Sequence, residues 1–305
     1  MGEKEEKMRF DVVTFGGAVI DVFVNTEVGE KHGFMHYPIG EKILIKELKF
    51  DWGGGGTNTA VAFARLGFKT GCISELGGDE NGKKIFNSLK KEKVEFLGKV
   101  VKNELSGYSV ILDSRGGERT ILTYKGANNE ISLSDIKKFK TKWLYLSSLL
   151  GKSFETQKKL ALILKKRGTK IAFNPSSYLI KKENLSPILK ITDILVLNKQ
   201  EAQMLTRSKL NLLENLRKLG PKLIVITDKD KMITCYDGHN RYLLFPNKVK
   251  VVERTGAGDA FASGFVAGQI AKKSIKYSLR LGLAESESVI KYFGAKNKLL
   301  RMKLR

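Results

Sequence analysis

The sequence predicts an α/β fold: a central, mostly parallel sheet flanked by helices, with a small β-sheet lying over its edge. Three observations predict it. Short apolar, β-branched runs alternate with segments of helical period along most of the chain. Several helical segments close on glycine, the residue that most readily takes the left-handed conformation ending a helix. Two stretches, residues 22–50 and 98–125, break the alternation with strand-like runs and turns.

Taken in order, "FDVVTFGG" (10–17), "WLYLSS" (143–148), "KIAFNP" (170–175), "DILVLN" (193–198) and "KLIVITD" (222–228) read as short strands buried on both faces. "TNTAVAFARLG" (57–67), "ENGKKIFNSLKKEK" (80–93), "ETQKKLALILKKRG" (155–168) and "NLLENLRKLG" (211–220) read as helices. Strands alternating with helices form parallel βαβ units, with helices on both faces of one sheet. Residues 98–125 hold three β-rich segments joined by "ELSG" and "SRGGE", and read as a small antiparallel flap. With no Pro- or Ser-rich linker and no internal repeat, the whole of 1–305 reads as one domain carrying a lid.

Composition narrows the class. Hydrophobic residues make up 42% and charged residues 29% of the 305, which suits a soluble globular protein. No apolar run is long enough to span a bilayer, and "MGEKEEKMRF" has neither the apolar core of a signal peptide nor a myristoylation pattern. Cys72 and Cys235 are far apart with no CxxC, as in a reducing cytoplasm. The net charge of +23 comes mostly from dispersed lysines, with a tight cluster in the tail "KNKLLRMKLR". Without interleaved aromatics, zinc knuckle or helix-turn-helix, that charge reads as a solvated surface rather than a nucleic-acid site.

Two glycine-rich junctions carry the chemistry. At 251–268, "VVE" reads as the end of a strand, "RTGAG" as a turn and "DAFASGFVAG" as a helix with one small, apolar face. Bare N–H groups and the dipole at such a helix start favour a phosphate, which makes a carboxylate at Asp259 puzzling. The second junction is "DWGGGGTNTAVAFARLG" (51–67). Four consecutive glycines suit close backbone approach to a polar ligand, and Asn58 at the helix start suits capping or a hydroxyl contact. "ELGGDENGKK" nearly matches a phosphate-binding P-loop, but Lys84 stands where Ser or Thr must hold magnesium. His32 and His36 are four apart with Gly33 between them and no third ligand, so they read as surface residues.

The ordered set of Gly-Gly-x-x-x-Asn, "GGDENG", "YKGANN", "FNPSS", "VLNKQEA" and "RTGAGDAF" resembles the ribokinase-like (PfkB) family of carbohydrate and nucleoside kinases, over about residues 11–295. The resemblance implies a ribokinase-like fold with a β-sheet lid, covering segments near 22–50 and 98–125. It implies that Asp259 is the general base and that Gly256, Ala257 and Gly258 form the anion hole for the transferring phosphoryl group. On that reading Asp259 faces the acceptor hydroxyl, which accounts for its charge. It further implies that Asp21, Gly53, Gly54 and Asn58 bind the sugar. Asn174, Asn198, Thr227 and Lys229 fall beside the nucleotide, and Glu201 beside Mg2+, through water.

The departures bear on specificity. Gly55 stands where ribokinase proper has Lys, and "LYLSSLLG" lacks a sugar-binding acid. Lys229 and Met232 occupy the glycine positions of Thr-x-Gly-x-x-Gly, and "LAESESVIKYFGA" lacks the Asn-Ala-Ala run near adenine. Glu253-Arg254 replaces the common Asp-Thr beside a monovalent-cation site. The expectation is a cytoplasmic, Mg2+- and ATP-dependent kinase acting on the hydroxymethyl group of a ribose-like pentose. A nucleoside is the alternative acceptor, with Phe34, Tyr37 and Trp52 as candidate stacking partners. Fructose or 2-keto-3-deoxygluconate is another, and a binding protein without turnover the remotest. A homodimer through the lid is also expected.

Overall fold

The computed structural model describes residues 8–116 and 119–304. The start of the chain read for targeting signals, through residue 7, lies outside them, as do Gly117 and Glu118 of the "SRGGE" turn and Arg305 of the tail.

Strand β1 (Met8–Phe15) turns sharply at Gly16, Gly17 and Ala18 into β2 (Val19–Asn25). A short hairpin of β3 (Glu30–Lys31) and β4 (Phe34–Met35) follows, then β5 (Glu47–Gly53) and α1 (Gly55–Arg65). Next come β6 (Thr70–Ile73), β7 (Glu75–Gly77), α2 (Glu80–Lys91), β8 (Glu95–Phe96) and β9 (Lys99–Val101). β10 (Gly107–Asp113) and β11 (Arg119–Tyr124) lead back to β12 (Phe139–Ser147). The second half runs α3 (Gly151–Lys166), β13 (Lys170–Asn174), α4 (Ser177–Lys182), α5 (Ser186–Leu189), β14 (Ile194–Asn198), α6 (Lys199–Thr206) and α7 (Leu212–Lys218). It ends with β15 (Leu223–Thr227), β16 (Ile233–Tyr236), β17 (Arg241–Leu244), α8 (Ala257–Ile270) and α9 (Ile275–Val289).

Nine strands form the main sheet in the order β17-β16-β15-β14-β13-β12-β1-β6-β8. All its pairings are parallel except the two at the β16 and β17 edge. Residues alternate across β12, so that Leu144 and Leu146 face one helical layer while Trp143 and Tyr145 face the other. The first layer buries Leu160 and Leu164 of α3 with Leu213 and Leu216 of α7; the second buries Phe63 of α1 with Phe261 and Phe265 of α8. Gly67, Gly168 and Gly220 follow α1, α3 and α7 with φ of 91°, 85° and 125°, the left-handed helix ends expected from sequence. The small-residue face of α8 is a packing surface. A Cβ on Gly264 would lie 2.9 Å from the Gly282 backbone of α9, so the two helices meet at backbone distance.

The small sheet has the order β11-β10-β2-β5. It differs from the expected antiparallel flap in two ways. β10 runs parallel to β2, because the chain leaves β1 through a three-residue turn and gives β2 a direction that β10 matches. The first segment of 98–125 does not join it: β9 pairs with β7 in a separate two-stranded ladder. A third correction concerns Val251, Val252 and Glu253, which form no strand. Both valines are largely exposed, and the Val252 and Glu253 N–H groups donate to the carbonyl of Ile290 beyond α9 instead of to a sheet.

Candidate active site

In an open α/β sheet, ligands gather beyond the carboxyl ends of the strands. Here those ends carry Ser147, Asn174, Asn198 and Thr227 on four successive strands; Ser147 lies opposite Asn174, and Asn198 opposite Thr227. Helix α8 opens at the same edge. Its N-cap, Gly256, sits at φ 80°, and a Cβ there would run into Ala295. A Cβ on Gly258 would meet nothing within 4 Å, so space opens above the first turn. Ala257 N–H is used within the turn, donating to Arg254 O at 3.2 Å. Among the described residues no backbone carbonyl takes the N–H of Gly258 or Asp259.

Asp259 sits in that first turn, with one carboxylate oxygen accepting from Asn58 Nδ2 at 2.9 Å. Desolvation pushes its pKa up, opposed by the Asn58 hydrogen bond and by the charge of Lys296. Asn58 does not cap α1, since it lies a full turn inside the helix and its amide is spent on Asp259 and Lys296.

Protein atoms alone already require small residues at the four glycines. A Cβ on Gly53 would collide with the Asp21 carboxylate, one on Gly55 would lie 2.8 Å from Ser147 Oγ, and one on Gly56 would press on Gly16 at 2.6 Å. Gly54 adds a φ of 96° to close contact with Gly17. The run lets the β1–β2 turn sit directly on the start of α1, bringing Asp21 and Ser147 up to the same place. The Ser147 hydroxyl and, beneath it, the Tyr145 hydroxyl are buried with no hydrogen-bond partner among the described residues.

Asp21 lies opposite Asp51 across the β2–β5 pair and opposite Ser109 across β2–β10. It is buried, and desolvation raises its pKa to about 6 against the opposing pull of Lys296 and a Ser109 hydrogen bond. Lys296 answers these acids. Buried at 4% exposure, its ammonium donates to Asn58 Oδ1 at 2.8 Å and to Trp52 O, and lies 4.1 Å from the Trp52 ring centroid. Burial lowers its pKa to about 8 against the opposing charges of Asp51, Asp21 and Asp259. Asp51 and Lys296 were missed in the sequence. Lys296 opens the basic tail cluster, and nothing next to it sets it apart from surface lysines.

On the other side, Asn174 Nδ2 donates to Val196 O at 2.7 Å, tying β13 to β14. Asn198 and Glu201 form a reciprocal capping box on α6: Glu201 N–H donates to Asn198 Oδ1 at 2.9 Å, and Asn198 N–H to Glu201 Oε2 at 2.8 Å. The other Glu201 oxygen accepts from Ser177 N–H at 3.1 Å, and burial is the first cause of its raised pKa, with Asp259 adding to it. Thr227 ends β15, and Lys229 just beyond it is exposed with φ 51°, a backbone that suits glycine better than lysine. Glu253 is committed to its own turn and to Arg119 of the small sheet, at 2.5 Å. That pairing leaves its carboxylate a poor fit to a monovalent cation. Of the proposed stacking residues, Phe34 is 67% exposed and Tyr37 pairs with Thr26, while the Trp52 ring is covered by Lys296.

The comparisons agree with this architecture. The model of the pfkB family carbohydrate kinases matches residues 10–301. A ribokinase of Lactococcus lactis is 31% identical over 261 residues, spanning 84% of this chain and 85% of its own. An adenosine kinase from Sinorhizobium meliloti superposes with a TM-score of 0.82 at 21% identity, covering 95% of this chain and 97% of its own. The Arabidopsis thaliana ribokinase solved with ribose and ATP gives 0.79 at 23% identity, covering 95% of each chain. The ribokinase fold and a family match over nearly the whole chain identify a phosphotransferase: the protein belongs to the pfkB family of carbohydrate kinases.

Proposed function

We propose that the protein transfers the γ-phosphate of ATP to the terminal hydroxymethyl group of an uncharged, ribose-like pentose, with Asp259 as general base. The observation that carries this reading is Asp259 in the first turn of α8, gripped through one oxygen by Asn58, beneath the open space at Gly258. The acceptor oxygen bonds to the γ-phosphorus as the bond to the leaving ADP breaks, and its proton passes to Asp259. The N–H groups of Gly258 and Asp259 meet the transferring phosphoryl oxygens, while Gly256 and Ala257 shape the turn that exposes them. Asp21 takes the sugar hydroxyls, with Gly53 giving it room, Gly54 admitting the β1–β2 turn beside it and Asn58 bordering the same space. Asn174, Asn198, Thr227 and Lys229 border the nucleotide.

Mg2+ fits this donor set through water. Both Glu201 oxygens already accept backbone N–H groups, and no cluster of three metal-ligating side chains occurs among the described residues. Mg2+ in phosphoryl transfer needs only one or two carboxylates beside substrate phosphates and water. When bound with ATP it neutralises phosphate charge. The small sheet, tied to the α8 turn by Arg119 and Glu253, is read as the lid that excludes water.

Charge favours a neutral acceptor. Asp21, Asp51 and Asp259 outnumber the cations Lys296 and Arg65 around them, so the site repels a phosphorylated or acidic sugar. Of the three candidate phosphate anchors, Arg115, Arg119 and Lys125, Arg119 is taken by Glu253. A ribose-bearing nucleoside meets the same requirement and is the second reading. The test is Asp259→Asn. We expect kcat to fall by about two orders of magnitude or more, with nucleotide binding retained because the backbone donors remain. Turnover within a few-fold of wild type would show that Asp259 is not the base.

A further inference from the structure

Residues 293–296 touch the side of the candidate site that holds Asp21, Asn58 and Asp259. Phe293 packs edge-on against Phe23 of β2, with ring centroids 4.4 Å apart. A Cβ on Gly294 would collide with the Asp51 carboxylate, and Ala295 fills the space a side chain on Gly256 would need. Lys296 then reaches Asn58 and Trp52. One short segment thus contacts the small sheet, the turn before α8 and the partner of the base.

Lysine can only donate, so the Asn58 atom facing Lys296 must be the oxygen. The amide is planar, and its NH2 group is thereby turned toward Asp259. We propose that Lys296 is a positioning residue for the general base: it fixes the Asn58 amide, which holds one Asp259 oxygen and leaves the other for the acceptor proton. This rests on the reading of Asp259 as base. The second Asp259 oxygen, Oδ1, lies apart from Asn58 on the Gly55 side, where a Cβ at Gly55 would lie 3.5 Å from it.

The charge acts in the same direction. The charged groups around the ammonium are Asp21 of β2, Asp51 of β5, Asp259 of α8 and, repelling it, Arg65 of α1. The positive charge favours ionised Asp259, so removing it raises the Asp259 pKa. The acid limb of the rate profile then moves to higher pH. Asp21 feels the same charge, so the limb is read in kcat at saturating acceptor, where a lysine that served only packing would leave it in place.

The experiment compares Lys296→Met with wild type and with Asp259→Asn, using the best acceptor. Lys296→Met keeps the stem and removes the charge. We expect kcat to fall by about a hundredfold, the scale of a misplaced catalytic group, with the KM for ATP little changed and the acid limb shifted upward. A kcat near that of wild type overturns the proposal, and so does a lower kcat with an unmoved acid limb. Asp259→Asn separates the two claims: if it is active, the base assignment fails, whereas if it is inactive beside a normal Lys296→Met, only Lys296 fails. Should Lys296→Met not fold, nuclear magnetic resonance of the wild type decides. The Asn58 NH2 group should give two distinct, slowly exchanging proton signals that Asn58→Ala removes. A pair that exchanges with solvent as fast as that of an exposed asparagine overturns the role.

Discussion

Asp21, proposed above to hold the acceptor hydroxyls, works against the fold that holds it. Its pKa rises from 3.8 to about 6 in the native state because burial disfavours the charge. Between those values the folded protein binds more protons than the unfolded chain, so stability falls as pH rises through this window and is level above it. Asp21→Asn should therefore stabilise the protein at pH 8 by on the order of 1–3 kcal/mol and do little near pH 4. The same substitution should sharply reduce kcat/KM for the best acceptor, since an ionised carboxylate no longer meets its hydroxyls. Melting temperatures at the two pH values, measured beside the kinetics, check both parts. A variant that is less stable than wild type at pH 8, or fully active, contradicts the assignment.

At the scale of elements, the small sheet has two unlike faces. One carries Asp21 and Asp51; on the other, Val22 lies between Phe50 and Val110, with Leu122 beyond. Phe50 is 62% exposed, Leu48 48% and Leu122 56%, an apolar surface that water covers poorly. We assign this face to a second copy of the chain, so that two lids pack against each other. The protein should behave as a dimer in light scattering at micromolar concentration, and Phe50→Lys should make it monomeric while remaining folded. A monomeric wild type would contradict the assignment. Strands β1, β12, β13, β14 and β15 of the main sheet were legible in the sequence because burial on both faces leaves unbroken apolar runs, whereas the shorter β6, β8, β16 and β17 were not. The small sheet was harder to read. Its pairing partners are distant in sequence, and β10 follows the direction of β2 rather than that of its own neighbour in the chain. Val251 and Val252 misled for a related reason: β-branched residues favour strands, but no strand edge lies beside them.

Over the whole molecule, the same distinction separates what could be read of the site from what could not. Asp259, Asn58 and Asp21 stand beside glycines whose spacing marks them, and the fold brings those glycines together. Lys296, about 240 residues from Asn58, has no local mark, since burial and partners are properties of the folded chain. The net charge of +23 adds a long-range field that draws a polyanionic nucleotide toward the protein. Locally, the proposed acceptor site has the opposite sign: three carboxylates face the buried ammonium of Lys296 and the guanidinium of Arg65.

That local charge is the most direct point of test. Wild-type enzyme with ATP and Mg2+ should be assayed for ADP release against ribose, adenosine, cytidine, fructose, fructose 6-phosphate and 2-keto-3-deoxygluconate. The account predicts turnover with an uncharged acceptor bearing a terminal hydroxymethyl group, ribose or a ribose nucleoside first. It also predicts kcat/KM at least about a hundredfold lower for the phosphorylated and acidic sugars, the scale of roughly 2.7 kcal/mol of unfavourable charge. Turnover confined to fructose 6-phosphate or 2-keto-3-deoxygluconate would contradict it.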